Sequence, residues 1–184
     1  MSAARFSPWA GLAADHVVAV GGEGQRTFAN LRADVQRAAA LLPVASTASA
    51  TDAQRSEVLI ACADRYNFAV ALLASWARGH AAALPPSHST TTLDGLAADA
   101  RIAATIHDGE ASFGFDLRLA LPGVIASATQ PLAEIAADTH LVTLYTSGST
   151  GAPRPSLKRA DQLLGEVDVL AACFESEQRR FLCT

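Results

Sequence analysis

The sequence predicts an α/β fold with a parallel-rich sheet flanked by helices in βαβ units, and three observations lead there. Apolar runs of strand length alternate with stretches whose apolar residues recur at helical spacing. The boundaries between them carry Gly, Pro or Asp-Gly. Strand, helix, glycine and strand also follow one another within about thirty residues, the order of a right-handed crossover. The composition permits such a domain: 184 residues, 50% hydrophobic and only 17% charged, suit one packed core rather than a disordered chain.

Gly21, Gly22 and Gly24 form a turn that reads as a hairpin or strand end; a dinucleotide fingerprint would need a helix directly after it, and Arg26 and Thr27 intervene. Phe28, Leu31, Val35, Ala38, Ala39 and Leu42 then lie on one helical face, with Thr27 as N-cap and Pro43 as the stop. A loop insertion follows near residues 43–56, almost all Ala, Ser and Thr from 44 onward. Residues 57–61 are a Val-Leu-Ile run suited to a strand buried on both faces. Tyr66, Ala69, Leu72, Leu73 and Trp76 return to helical spacing up to Gly79, and residues 81–84 make the next strand, closed by Pro85 and Pro86.

The alternation continues with a helix around residues 92–100 and a strand at 103–107 that stops at Asp108 and Gly109. Between 110 and 139 the pattern weakens. Two apolar pieces, 113–119 and 124–126, are separated by Pro122 and Gly123 and read as edge strands and loop. Residues 141–145 are again strand-like, a Gly/Ser/Thr-rich turn follows, and Leu163, Leu164, Val167, Leu170, Ala171 and Phe174 form a clean helical face. Residues 180–184 read as the opening of a further strand. The natural division is a first α/β subdomain over 1–139 and, over 140–184, a strand, loop and helix.

The net charge of −4 supplies no basic excess, which argues against a nucleic-acid partner. No run approaches the roughly 20 apolar residues of a membrane span, and residues 1–11 lack the apolar core of a secretory signal; a cytoplasmic location is the expectation. Cys62, Cys173 and Cys183 lie in apolar neighbourhoods without ligand spacing and are expected to be buried free thiols. His16, His80, His88, His107 and His140 show no metal spacing and fit ordinary loop or strand-end positions. Trp9 and Trp76 fit packing roles.

Chemistry concentrates in residues 141–158, LVTLYTSGSTGAPRPSLK. A strand here delivers the chain into Thr146, Ser147, Gly148, Ser149, Thr150 and Gly151, a hairpin rich in hydroxyls and backbone N–H groups whose glycines allow close approach to an anion. Such a segment can wrap a polyphosphate, although Ser/Thr/Gly clusters between a strand and a helix are more often plain loops. It is not a Walker A loop, since no Lys follows Gly151.

The order of these residues resembles the signature of the adenylate-forming superfamily, which includes acyl-CoA and aryl-CoA synthetases: an aromatic residue, Thr-Ser-Gly, Ser or Thr, Thr-Gly, any residue, Pro and Lys. Residues 27–42 and 58–84 resemble that family's early helix and its βαβ unit, so the resemblance covers most of the chain from Thr27 on. It implies the N-terminal part of an AMP-forming ligase. In that reaction a carboxylic acid and ATP give an acyl-adenylate and pyrophosphate with Mg2+ assisting, and the acyl group then passes to the thiol of CoA or a carrier protein. Carried over residue by residue, Thr146, Ser147, Ser149 and Thr150 would contact the β- and γ-phosphates, Gly148 and Gly151 would free the backbone, and Arg154 stands where the family has Lys.

After Arg154 the chain departs from the family pattern: Pro155, Ser156, Leu157, Lys158 and Arg159 resemble instead a branch found in bacterial polyketide and aryl-polyene pathways. Lys158 could reach phosphate in that branch, though a solvated Lys near a helix start is the simpler reading. The family's adenine, ribose and hinge segments and its C-terminal catalytic Lys have no counterpart in residues 1–184. The expectation is therefore a fragment inactive alone, with a natural-length remnant or nucleotide-binding module as the alternative, and an unrelated anion site as a remoter one. No catalytic residue and no metal ligand is assigned.

Overall fold

The structure, a computed structural model, describes residues 5–7, 12–22, 24–45, 55–109, 114–123, 133–146 and 154–174. A two-residue strand β1 (Arg5–Phe6) is followed by the hairpin β2 (Val17–Gly21) and β3 (Gly24–Thr27), in which Gly21 lies opposite Gly24, so the glycine turn is a hairpin as expected. Helix α1 (Phe28–Leu41) starts at Thr27, which closes a capping box: its hydroxyl accepts the Asn30 N–H at 3.3 Å, and Asn30 Oδ1 accepts the Thr27 N–H at 2.8 Å. Next come β4 (Glu57–Ala61), α2 (Arg65–Ala77), β5 (Ala81–Leu84), α3 (Thr90–Ala97) and β6 (Ile102–His107). Then follow β7 (Phe115–Asp116), α4 (Leu117–Gly123), β8 (Ile135–Ala136), β9 (His140–Thr146), β10 (Arg154–Arg159) and α5 (Ala160–Phe174). Among the described residues no helix is long and apolar enough to cross a membrane.

The main sheet has the order β10-β9-β5-β4-β6-β7, parallel from β9 to β7, with β10 antiparallel at the edge; β1 pairs separately with β8. Handedness explains why helices cover both faces. From β4 to β5 the chain steps one way across the sheet, and from β5 to β6 it returns past β4, so two right-handed crossovers put α2 and α3 on opposite faces. Val58, Ile60, Ala82 and Ile106 pack with Val35 and Ala38 of α1 and with Val70, Ala71 and Ala74 of α2. Leu59, Ala61 and Ala83 pack with Leu93 and Leu96 of α3 on the other side. Every residue of β4 is buried: the apolar run Val58–Ala61 predicts this for four of them, and Glu57 is buried as well. Each such Leu or Ile contributes about 1.5–3 kcal/mol through burial.

Two expectations are corrected. Residues 117–119 are not an edge strand: Leu117, 1% exposed, turns into the core and opens the short helix α4, whose first turn is anchored by Asp116 Oδ1 accepting the Arg118 N–H at 2.9 Å. Pro122, which cannot donate to the helix ladder, comes one residue before its end. Only the strand part of that stretch, Phe115–Asp116, forms as β7; Phe113 and residues 124–126 lie outside the described residues. The second correction concerns thiols. Cys62 is buried, and desolvation, helped by Asp108 and Asp64, pushes its thiol up to about 12, but Cys173 on α5 is exposed, because the core takes only the Ala160 and Leu163 end of that helix. Trp9, Cys183, most of the 43–56 insertion and residues 180–184 lie outside the described residues.

His80, 1% exposed, holds the start of β5 against the exit of α1: its Nε2 donates to the Pro43 carbonyl at 2.9 Å and its Nδ1 accepts from the Ser56 hydroxyl at 2.8 Å. Burial, assisted by Arg55 and Arg78, lowers its pKa from the usual 6.5. A depressed folded-state value means that the unfolded chain binds the proton more readily. Stability from this histidine is full above about pH 6.5 and is lost as the pH falls toward the folded value. Thermal melts between pH 7.5 and 5.5 are expected to show a falling midpoint whose slope flattens in His80→Gln; an equal slope in both proteins would remove His80 as the cause.

Candidate functional site

The segment singled out by sequence hangs from the β9–β10 hairpin. Register places Arg154 opposite Thr146, and the Thr146 hydroxyl approaches the Arg154 carbonyl at 3.4 Å. Both residues are exposed. Because β9 runs parallel to β5 and β5 to β4, Thr146 emerges at the carboxyl edge of the parallel sheet, where α/β sheets characteristically bind ligands. Ser147, Gly148, Ser149, Thr150, Gly151 and Pro153 lie outside the described residues. The sequence reading also ran 154–158 directly into the following helix. Together with Arg159 these residues instead form β10, since pairing with β9 supplies the order that Pro and four polar side chains would not.

Lys158 stands at the other end of β10 from Arg154. It pairs with Val142 and its Nζ donates to Glu166 Oε1 of α5 at 3.0 Å. Three residues of strand lie between it and Arg154, a span of about 13 Å along the chain, so Arg154 and not Lys158 stands beside the hairpin opening.

Below the opening, β9 is tied to a buried carboxylate that sequence reasoning passed over. Glu57, 1% exposed, accepts the Thr143 hydroxyl at 2.8 Å on Oε1 and the Tyr145 phenol at 3.2 Å on Oε2. Arg101 sits 3.6 Å from Glu57 Oε1, donates to the Tyr145 oxygen at 3.0 Å and pairs with Asp99 at 2.9 Å. Since the Thr143 hydroxyl gives its proton to Glu57, it receives one from His140 Nε2, 2.9 Å away. Burial first, and the Glu57 charge second, push the Tyr145 phenol up to about 12, so it is a proton donor throughout the physiological range. Arg101 draws the Asp99 carboxyl below its usual value.

The alanines of β5 make this contact possible. Ala81 pairs with Glu57 and Ala83 with Leu59, so two small side chains line the face over which Tyr145 must cross β5 to reach β4. A glutamate opening an apolar strand reads from sequence as a boundary. The available signal was that Thr143 and Tyr145 alternate with the apolar Val142 and Leu144 and so share one face of the strand.

Among the described residues no group of three or more His, Cys, Asp or Glu could hold a metal ion. His80, His107 and His140 are buried and engaged with Pro43, Gly109 and Thr143 respectively.

No protein-family model matches the sequence, and no curated protein sequence does. Solved structures do match. The o-succinylbenzoate CoA synthetase MenE from Bacillus subtilis, in complex with AMP, aligns at TM-score 0.69 and 18% identity over 87% of this chain and 43% of its own. ATP-bound MatB from Rhodopseudomonas palustris aligns at 0.66 and 19% identity, over 91% of this chain and 36% of its own. The N-terminal subdomain of Klebsiella oxytoca NpsA, with 3-hydroxyanthranilyl-AMSN, aligns at 0.59 and 21% identity over 79% and 37%. The fold is that of the N-terminal domain of adenylate-forming enzymes, and the chain spans less than half the length of each of these structures.

Proposed function

We propose that the chain is the nucleotide-phosphate-holding part of an AMP-forming acyl- or aryl-acid ligase. The observation that carries this is the hairpin at the carboxyl edge of the sheet, with Thr146 and Arg154 facing each other and the residues 147–153 between them reading SGSTGAP. In the reaction a carboxylate attacks the α-phosphate of ATP, and charge moves onto the departing pyrophosphate. Hydroxyls, oriented N–H groups and one guanidinium stabilise that charge, the Arg gripping phosphate in two-pronged fashion. Thr146, Ser147, Gly148, Ser149, Thr150, Gly151 and Arg154 would supply these contacts.

Mg2+ needs oxygen ligands and keeps several waters or phosphate oxygens. On this reading it would be held through the phosphate oxygens of the nucleotide. Neighbours named as CoA synthetases support CoA as the acceptor, with a carrier-protein thiol as the other option. The Ser156-Leu157-Lys158 sequence supports the polyketide and aryl-polyene branch. Residues 1–139 would be the first subdomain and 140–184 the phosphate-loop unit of a larger catalytic domain. A natural-length nucleotide module is less well supported, because Val167, Val169 and Leu170 of α5 are 56%, 62% and 55% exposed, an apolar surface suited to further protein.

Calorimetric titration with ATP and with inorganic pyrophosphate tests the cradle. Arg154→Ala is expected to weaken binding by about tenfold or more, the worth of a charge-assisted phosphate contact, while leaving the thermal midpoint nearly unchanged because Arg154 is exposed. The product of the intact gene should exchange labelled pyrophosphate into ATP when the right fatty or aromatic acid is supplied. Absence of both binding and exchange would overturn the proposal.

A further inference from the structure

We infer that Glu57 is a positioning residue for the hairpin, holding Thr146 and Arg154 in place by fixing β9 from a strand two positions away in the sheet. Its effect on nucleotide rests on the function proposed above; its effect on the hairpin rests on geometry alone. Three features carry it. The side chains of Thr143 and Tyr145, the last two of β9 to point into the α3 face before Thr146, both end on the Glu57 carboxylate, at 2.8 and 3.2 Å. Their cross-strand partners on β10 are Leu157 and Pro155, so whatever fixes these two residues also fixes the strand that bears Arg154. Arg101 locks the far side by touching both Glu57 and the Tyr145 oxygen, at 3.6 and 3.0 Å.

A buried carboxylate is a poor choice if stability alone is at stake, since its desolvation cost rivals what its partners return. Its gain is directional: both donors must approach their own oxygen, so β9 cannot slide or twist without breaking a charge-assisted bond. Tyr145 acts as a strut. Its ring lies in the cluster of Leu59, Ala83, Leu93 and Leu96, and its phenol reaches the opening residue of β4.

The test compares wild type, Glu57→Gln, Tyr145→Phe and the double variant with Val35→Ala, a core truncation on the other face of the sheet. Amide hydrogen exchange of residues 141–146 and 154–159, and affinity for ATP well below the unfolding midpoint, are the readouts. Expected are faster exchange in both segments and three- to tenfold weaker ATP binding in each Glu57 and Tyr145 variant, with the double variant no worse than the worse single one. Val35→Ala should lower the midpoint without either effect. If Glu57→Gln exchanges and binds as wild type does, or if Val35→Ala mimics it, Glu57 is an ordinary core group and the inference fails. Should wild type bind no ATP, the functional reading fails while the exchange comparison still decides the role of Glu57. Tyr145→Phe removes one oxygen only, so it keeps the question open to decision if Glu57→Gln folds poorly.

Discussion

Replacing Asp108 with alanine is expected to lower the unfolding free energy by about 3 kcal/mol, read as a shift of the urea midpoint at constant slope. Asp108 follows β6 and is 9% exposed. Its Oδ1 accepts the Ala63 N–H at 2.8 Å, and its Oδ2 accepts the Asp64 N–H at 2.9 Å and the Asn67 amide at 3.1 Å. One carboxylate thus holds the turn from β4 into α2, where Asp64 caps the helix by accepting the Asn67 N–H at 2.9 Å. Removing it strands backbone donors that water reaches poorly, and leaving a buried donor without a partner costs more than making the bond gains. Asp108→Asn should fall between, because the amide keeps one acceptor oxygen and faces the remaining donors with N–H groups of its own. A loss under about 1 kcal/mol for Asp108→Ala would mean that the turn is held elsewhere.

Gly114→Ala should be comparably harmful, by about 3 kcal/mol, for a backbone reason. Gly114 has φ +92°, and a Cβ built there would lie 2.5 Å from the Thr105 carbonyl oxygen. That oxygen belongs to β6, the strand against which β7 pairs through Ile106 and Phe115, so relief requires moving β7 off the sheet. Gly21→Ala is the control: its φ is not in the left-handed range and nothing lies within 4 Å of the built Cβ. Equal melting temperatures for the two variants would contradict the clash.

How far the sequence could be read depended on whether a residue's role was local. Thr27 and the apolar spacing after it define α1 without outside help, and β4, buried on both faces, carries an apolar run that no other element would need. β10 was invisible because nothing in RPSLKR prefers a strand; its order comes from β9, and an edge strand can be polar. The turn into α4 was hidden because Pro122 and Gly123 follow Leu117 within six residues and read as a break, while the helix is fixed by contact of Leu117 with the core. The site divides in the same way. Thr146 and Arg154 stand out within one short segment, whereas Glu57 and Arg101 join Tyr145 from 88 and 44 residues away, distances at which only folding shows the partnership.

Trp76 connects α2 to the same strand from the opposite face: its indole Nε1–H donates to the Leu141 carbonyl at 3.0 Å. Indole emission responds to the strength of that bond and to the polarity around the ring. The molecule therefore contains an optical gauge wired to the backbone of β9, with Trp9 as the second fluorophore to be silenced by substitution. Rearrangement of β9 could then be followed in real time by the colour of one native side chain, with no attached label to disturb the strand being watched.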